Sequence, residues 1–332
     1  MANKKVTIKD VARVAGVSIT TVSQILNGTG GRFSDATVAK VKNAKAELHY
    51  EADYFARRMI VKKSKTIGVL VPDITNPFFS ELVRGVENIL YQKKFITMLC
   101  NADLDTAKEQ AYLTELSHRG VDGFIIASSA IPNEAIDEIW QQQQQPLVVL
   151  DQKQAAGMSD AVTSDDRTGG QLAAQHLKDL GHQQIAVLMP AQATENIQAR
   201  LAGIQKVYDP AAITVIPTEL SKSAGKAAAP ALIASPATAA ITVSDEIAFG
   251  LYRGLAVAGK RVPADYSIVG YDNVEMSQYV SPQLTTVAQP IFELGQTTAK
   301  LLLARIENPT TPWVERQLPV KLMLRNSTAR LN

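Results

Sequence analysis

Thr7-Ile8-Lys9-Asp10-Val11-Ala12-Arg13-Val14-Ala15-Gly16-Val17-Ser18-Ile19-Thr20-Thr21-Val22-Ser23-Gln24-Ile25-Leu26 carries the signals of two short helices and the turn between them. Thr7 is a capping residue, and Ile8, Val11, Ala12 and Ala15 follow it at helical spacing. Gly16 stands where that helix must stop and the chain must turn. Ser18 caps a second helix whose inward positions are Val22, Ile25 and Leu26. Ile19, Thr20, Thr21, Ser23 and Gln24 are left outward. Their side chains are short or amide-bearing, which suits contact with base edges and phosphates in a major groove. The stretch therefore reads as a helix-turn-helix that meets double-stranded DNA. An ordinary helical hairpin accounts less well for capping, glycine and polarity agreeing over the whole length.

Working outward, a third helix is predicted from Asp35 to Leu48, capped by Ser34, with Val38, Val41, Ala44 and Leu48 as its apolar stripe. Three such helices can close a small head around Val11, Val22, Leu26 and Val41. The loop Asn27–Phe33 between the last two is rich in glycine. Behind the head, Glu51–Lys65 has no large apolar face and predicts only a marginal helix. It reads either as a solvated linker or as a segment that orders on DNA. In the second reading its arginines lie on phosphates and an apolar residue wedges into the minor groove, with Ala56, Arg57 and Met59 at the centre. Residues 1–65 hold 13 Lys/Arg against 5 Asp/Glu, a net of +8, whereas the remainder holds 21 against 27, a net of −6. A basic head on an acidic body assigns phosphate contact to the head and a different task to the body.

The whole chain has 332 residues, too many for one typical domain. The expected division is a head over 1–50, a hinge or linker over 51–65 and a core over 66–332. No apolar run reaches the length of a membrane span, and no signal-peptide pattern opens the sequence, so a cytoplasmic protein is expected. A single cysteine, Cys100, excludes a disulfide framework and a thiolate zinc site.

From Thr66 onward short apolar runs alternate with helical stretches. The runs are Ile67–Val71, Ile96–Cys100, Gly123–Ala127, Leu147–Leu150, Ile185–Met189, Ile213–Ile216, Ala240–Val243 and Ile268–Gly270. Helices are predicted at Pro77–Lys93, Thr106–Arg119, Gly169–Leu180, Ile247–Gly259 and Ile291–Ile306. This alternation implies an α/β fold with parallel sheets flanked by helices, in two successive doubly wound subdomains. The run Gln141–Gln145 reads as a solvated helix end or loop.

In open parallel sheets ligands bind beyond the carboxyl ends of the strands. Those ends carry Asp73 through Phe79, including Asn76, Phe78 and Phe79; Asp151-Gln152; Ser164-Asp165-Asp166; Ser244-Asp245; and Tyr271-Asp272-Asn273. Gln289 precedes Pro290 near the last crossover, and Arg200 is placed at the start of a helix after the run 185–189. Carboxylates, amides and an arginine suit bidentate hydrogen bonds to sugar hydroxyls, and Phe78 and Phe79 suit the apolar faces of a sugar ring. Taken singly, each polar residue is equally a turn former or a cap, and the phenylalanines are equally core. No phosphate loop, nucleophile elbow or metal-ligand helix occurs, and the four histidines are scattered, so neither catalysis nor a cofactor is expected. His182, after Gly181, reads as structural.

Over essentially its full length the chain resembles the LacI/GalR family of bacterial transcriptional repressors, and within it most resembles the ribose-operon repressors. The motifs that carry the resemblance are Val6–Ser18, Ile67–Phe79, Gly270–Asn273 and Gln283–Pro290. It implies a homodimer on a palindromic operator, with a core of two periplasmic-binding-protein-like subdomains closing on a small sugar effector, ribose or a related pentose. By the same resemblance Ile19, Thr20 and Gln24 read bases, while Thr7, Ser18, Thr21, Ser23 and Asn27 hold phosphates. Asn76, Phe78, Phe79, Asp151, Arg200, Asp272 and Gln289 contact the effector. Four departures stand out. Gln24 replaces the usual arginine and Met59 the usual leucine wedge. Gln152 and Ser244, in the same effector set, replace an arginine and an asparagine and so remove contacts expected for ribose, which leaves another pentose, a phosphorylated sugar, or ribose held differently. An alternative within the family is a catabolite-control regulator whose core binds a phosphorylated carrier protein.

Overall fold

The computed structural model describes residues 6–27, 31–51, 63–103, 105–127, 145–150 and 159–331. Two compact units emerge, Met1–Ser64 and Lys65–Asn332. The expectations for Ala56, Arg57, Met59, Asp151 and Gln152 lie outside the described residues.

In the first unit α1 (Ile8–Ala15), α2 (Ile19–Leu26) and α3 (Asp35–Glu47) pack around Val11, Val22 and Val41, which are fully buried. Tyr50, just past α3, adds to this core, whereas Leu26 packs at its edge. Gly16 ends α1 in the left-handed region at φ 67°, its N–H donating to the Ala12 carbonyl. Ser18 and Ser34 cap α2 and α3 by accepting from the Thr21 and Thr37 amides.

The second unit holds two six-stranded sheets. The chain first lays down β1 (Thr66–Val71), α4 (Pro77–Gln92), β2 (Ile96–Asn101), α5 (Thr106–His118), β3 (Gly123–Ile126), β4 (Leu147–Leu150) and β5 (Asp160–Ser164). It then enters the second half with α6 (Asp166–Asp179), β6 (Ile185–Met189), α7 (Glu195–Ile204), β7 (Ile213–Pro217), α8 (Lys222–Ala227) and α9 (Ala229–Ala234). β8 (Ala239–Thr242), α10 (Asp245–Val257), β9 (Ser267–Asp272) and β10 (Thr285–Ala288) complete that stretch. Next it returns to the first half with α11 (Ile291–Glu307) and β11 (Glu315–Leu318), and ends in the second with β12 (Lys321–Met323). The sheet orders are β11-β5-β4-β3-β1-β2 and β12-β10-β9-β8-β6-β7, all parallel except the antiparallel β10–β12 pair. The chain therefore crosses between halves three times, near Asp165, Pro290 and Pro319.

α11 belongs to the first half in its packing. Ile291, Leu294, Ala299 and Leu302 join Phe79, Leu82 and Val86 of α4 in one core. The two helices touch backbone to backbone: a Cβ on Gly85 would lie 2.2 Å from the Phe292 carbonyl oxygen, and one on Gly295 2.1 Å from that of Leu82. The α6–α7 pair uses the same device at Gly170 and Gly203. Arg305 of α11 grips Asp160 at the start of β5 through two 2.8 Å bonds, both residues buried.

Several expectations need correction. Arg200 is the sixth residue of α7, not the start of a helix. α6 begins at Asp166 rather than Gly169, because Asp165 caps it by accepting from the Thr168 amide. Of the run Gln141–Gln145 only Gln145 is among the described residues; it is half-buried rather than fully solvated, and ties α5 to the loop before β3 by accepting from the Ser117 hydroxyl and donating to the Val121 carbonyl. β10, β11, β12, α8 and α9 do not feature among the expected elements.

Candidate functional site

The head presents one exposed edge of α2. Ile19 and Thr20 are solvent-exposed, while Thr21, Ser23, Gln24 and Asn27 are half-buried beside them. These side chains are organised by their neighbours. The Ser18 and Thr21 hydroxyls lie 2.9 Å apart, and the Asn27 amide donates to Ser23 Oγ at 3.3 Å. At the start of α1, the Thr7 amide and hydroxyl both donate to the Asp10 carboxylate, at 3.0 and 2.8 Å, and these bonds hold the Asp10 pKa below its ordinary value. Of the eight head residues expected to meet DNA, seven lie on α2 and its two flanking caps, and Thr7 caps α1.

In the second unit Asn76, Phe78, Phe79, Arg200, Ser244, Asp272 and Gln289 line one narrow, open cavity. Asn76 and Ser244 are N-caps of α4 and α10, accepting from the Phe78 and Ile247 amides. Phe78 and Phe79 pack edge to face, centroids 5.1 Å apart, both mostly buried, so they serve the core and the cavity wall together.

Arg200 is held on three sides. Its Nε donates to Asp166 Oδ1 at 2.8 Å and its Nη1 to the Val243 carbonyl at 2.6 Å, and its guanidinium lies 3.8 Å from the Tyr271 ring centroid. The Tyr271 hydroxyl donates to the same Asp166 oxygen at 3.0 Å. Arg200 therefore presents itself to the cavity in a fixed pose.

Asp272 closes β9 at φ 113°, a conformation disfavoured for any L residue, which marks a site held by its surroundings. Burial pushes its carboxyl well above the usual range, opposed by the nearby Arg200 charge and reinforced by the Asp245 carboxylate. Gln289 donates its amide nitrogen to Asp272 Oδ1 at 2.8 Å. The Gln289 amide oxygen is buried, with no partner among the described residues. A buried acceptor without a donor costs free energy, and a hydroxyl entering the cavity would satisfy it.

Asn196 and Leu220, which the sequence reading did not single out, line the same cavity. Asn196 lies one turn before Arg200 on α7, so starting that helix at Glu195 rather than Arg200 would have found it. Asp245, grouped with the strand-end aspartates, faces inward instead. It accepts from the Thr286 hydroxyl at 2.7 Å and the Val274 amide at 2.9 Å, and burial raises its pKa to about 7. His182 bridges Thr238 Oγ1 and the Ala329 carbonyl, which makes it structural.

Comparison with known proteins follows this division. The family of bacterial regulatory proteins called lacI matches residues 7–53, and the periplasmic binding protein-like domain matches residues 174–328. The HTH-type transcriptional repressor PurR of Photobacterium profundum is 35% identical over 98% of this chain and 99% of its own length. A LacI family transcriptional regulator from Enterococcus faecalis, solved with bound ribose, is 57% identical, covering 80% of this chain and all of its own, with a TM-score of 0.77. The lac repressor dimer bound to operator and the anti-inducer ONPF is 29% identical over 98% of this chain and all of its own, at TM-score 0.86.

Proposed function

The chain belongs to the LacI family of bacterial regulatory proteins, so it is a DNA-binding transcriptional regulator rather than an enzyme. From that premise we propose that it represses sugar-utilisation genes and that ribose or a related pentose, bound in the cavity, controls its hold on DNA. The observation that carries the sugar reading is the cavity wall itself: Arg200 clamped by Asp166, Asp272 beside it, and the buried acceptor of Gln289 waiting for a hydroxyl. The ribose-bound Enterococcus faecalis regulator supports the same class of ligand. In this reading Ile19, Thr20 and Gln24 face bases, and Thr7, Ser18, Thr21, Ser23 and Asn27 face the DNA backbone.

The regulator works as a homodimer in the cytoplasm. The edge strands β2 and β7 of the two sheets in the second unit expose Ile96, Leu99 and Val215, apolar side chains that a second copy would cover. A ligand moves such a regulator only by binding its two states with different affinity. Sedimentation of the full chain should give a dimer. Ribose should weaken binding to a duplex selected by the same protein by about tenfold, within the usual range of allosteric coupling. If ribose, xylose and arabinose all change binding less than about twofold, the sugar reading is wrong.

A further inference from the structure

β9 runs out through two consecutive residues of positive φ, Asp272 at 113° and Asn273 at 61°. The second lies in the left-handed helical region, which asparagine tolerates. The first suits no L residue, so groups outside the turn must impose it. Three side chains do. The Thr286 hydroxyl of β10 accepts from the Asn273 amide at 3.3 Å and donates to Asp245 Oδ1 at 2.7 Å. Asp245 Oδ2 accepts from the next amide, that of Val274, at 2.9 Å. Arg325, just past β12, donates to Asn273 Oδ1 at 2.6 Å, and its other arm donates to the Leu284 carbonyl at 2.7 Å.

Asp245 is the centre of this cradle. It is fully buried and does not line the cavity. Room for its carboxylate exists because residue 270 is glycine: a Cβ there would lie 2.2 Å from Asp245 Oδ1. Both carboxylate oxygens accept, one from a hydroxyl and one from an amide, which an amide side chain of the same size cannot match because one of its ends donates. Residues 273 and 274 are thereby fastened to β10 and α10, and the chain after Asp272 cannot relax to an extended path. Asp272 is left on the cavity wall against Gln289. Hydrogen bonds to a ligand weaken steeply once their angle falls below about 120°, so the direction of that carboxylate matters.

We infer that Asp245, through Thr286 and the Val274 amide, is a positioning residue for the effector site: it touches no ligand but sets the direction in which Asp272 meets one. This rests on the cavity being a sugar site, and adds the residues that hold its strained carboxylate in place.

Calorimetric titration of the full chain with ribose, xylose and arabinose at pH 8 tests this, with the tightest-binding pentose compared across variants. Thr286→Val keeps the shape and removes the hydroxyl that joins Asp245 to Asn273, so affinity should fall at least about fivefold. Thr286→Ser keeps the hydroxyl and should bind within about twofold of the wild type. Asp245→Asn leaves the Thr286 hydroxyl proton or the Val274 amide without a partner and should weaken binding at least as much as Thr286→Val. Ser327→Ala is the structural control. The Ser327 hydroxyl donates to the Ile268 carbonyl and accepts from the Thr285 amide, tying β9 and β10 at their other ends. That variant should melt earlier yet bind the pentose as the wild type does. The positioning role is overturned if Thr286→Val binds as tightly as the wild type. It is overturned too if Ser327→Ala loses as much affinity as Thr286→Val, which would make the loss one of general stability. A wild type that binds none of the three sugars overturns the sugar reading beneath it as well.

Discussion

The recognition helix and the cavity wall are both polar surfaces built on apolar cores, yet they are held together over different distances along the chain. Around α2 and at the start of α1 the organising bonds are short-range: Ser18 to Thr21, Ser23 to Asn27, Thr7 to Asp10. In the cavity they span the fold: Arg200 to Asp166 across 34 positions, Arg200 to Val243 across 43, Gln289 to Asp272 across 17. The head can be damaged one cap at a time. The cavity wall is a single network, in which removing one group strands the others.

Arg200→Ala presses hardest on this contrast. It leaves Asp166 as a buried carboxylate without its cation, a loss of about 3–5 kcal/mol, and should abolish the response to sugar. Urea unfolding of the full chain checks the first part, and a loss under about 1 kcal/mol would mean that the network is not cooperative. Asp245→Asn tests the network through pH. The folded pKa of Asp245, near 7, lies above the ordinary 3.8, so its contribution to stability declines as pH rises from about 4 to 7 and is constant beyond. The variant should lack that decline when melting temperatures at pH 5 and pH 8 are compared. Parallel profiles for the two proteins would contradict the assignment.

Gly203→Ala probes the helix contact that carries Arg200 to the cavity. Its Cβ would sit 2.0 Å from the Arg167 carbonyl oxygen, so α6 and α7 must separate, at about 1–3 kcal/mol. Denaturant titration with unchanged midpoint would show that the pair tolerates the shift. On the head side, Ser18→Ala removes one cap and should cost about 1 kcal/mol, read in thermal unfolding, with neighbouring contacts intact. The smallest effect is expected from Asp10→Asn. The Asp10 pKa is lowered, so its stabilisation is present above about pH 4 and fades as pH falls through the folded value. The wild type should therefore lose slightly more than the variant between pH 5 and pH 3. A head that loses more in the variant would reverse the sign.

The same contrast explains what the sequence disclosed. Thr7, Gly16, Ser18 and Ser34 announce the head because a cap or a stop acts on residues three or four positions away. Asn76, Ser244, Asp272 and Gln289 were legible for a related reason: each ends a strand, starts a helix or precedes a proline. Asn196 and Leu220 were not, since the elements around them carry no marked apolar period, and α8 and α9 are short and alanine-rich. β11 reads Glu-Arg-Gln-Leu and is largely exposed, so only its partner β5 makes it a strand. Asp245 looked like its cleft neighbours because nothing in its local sequence records that Thr286, 41 positions later, would turn it inward.

The three crossings impose an order on synthesis. A chain emerging from the ribosome has made β1 to β5 long before α11 and β11 exist. Until residues 291–318 arrive, the Gly85 face of α4 has no mate and Asp160 no arginine. The first half is thus begun first and finished last. A nonsense codon between about Tyr50 and Leu318 should therefore cost the protein both halves of its sensor, while leaving a head whose own core is already complete by Tyr50.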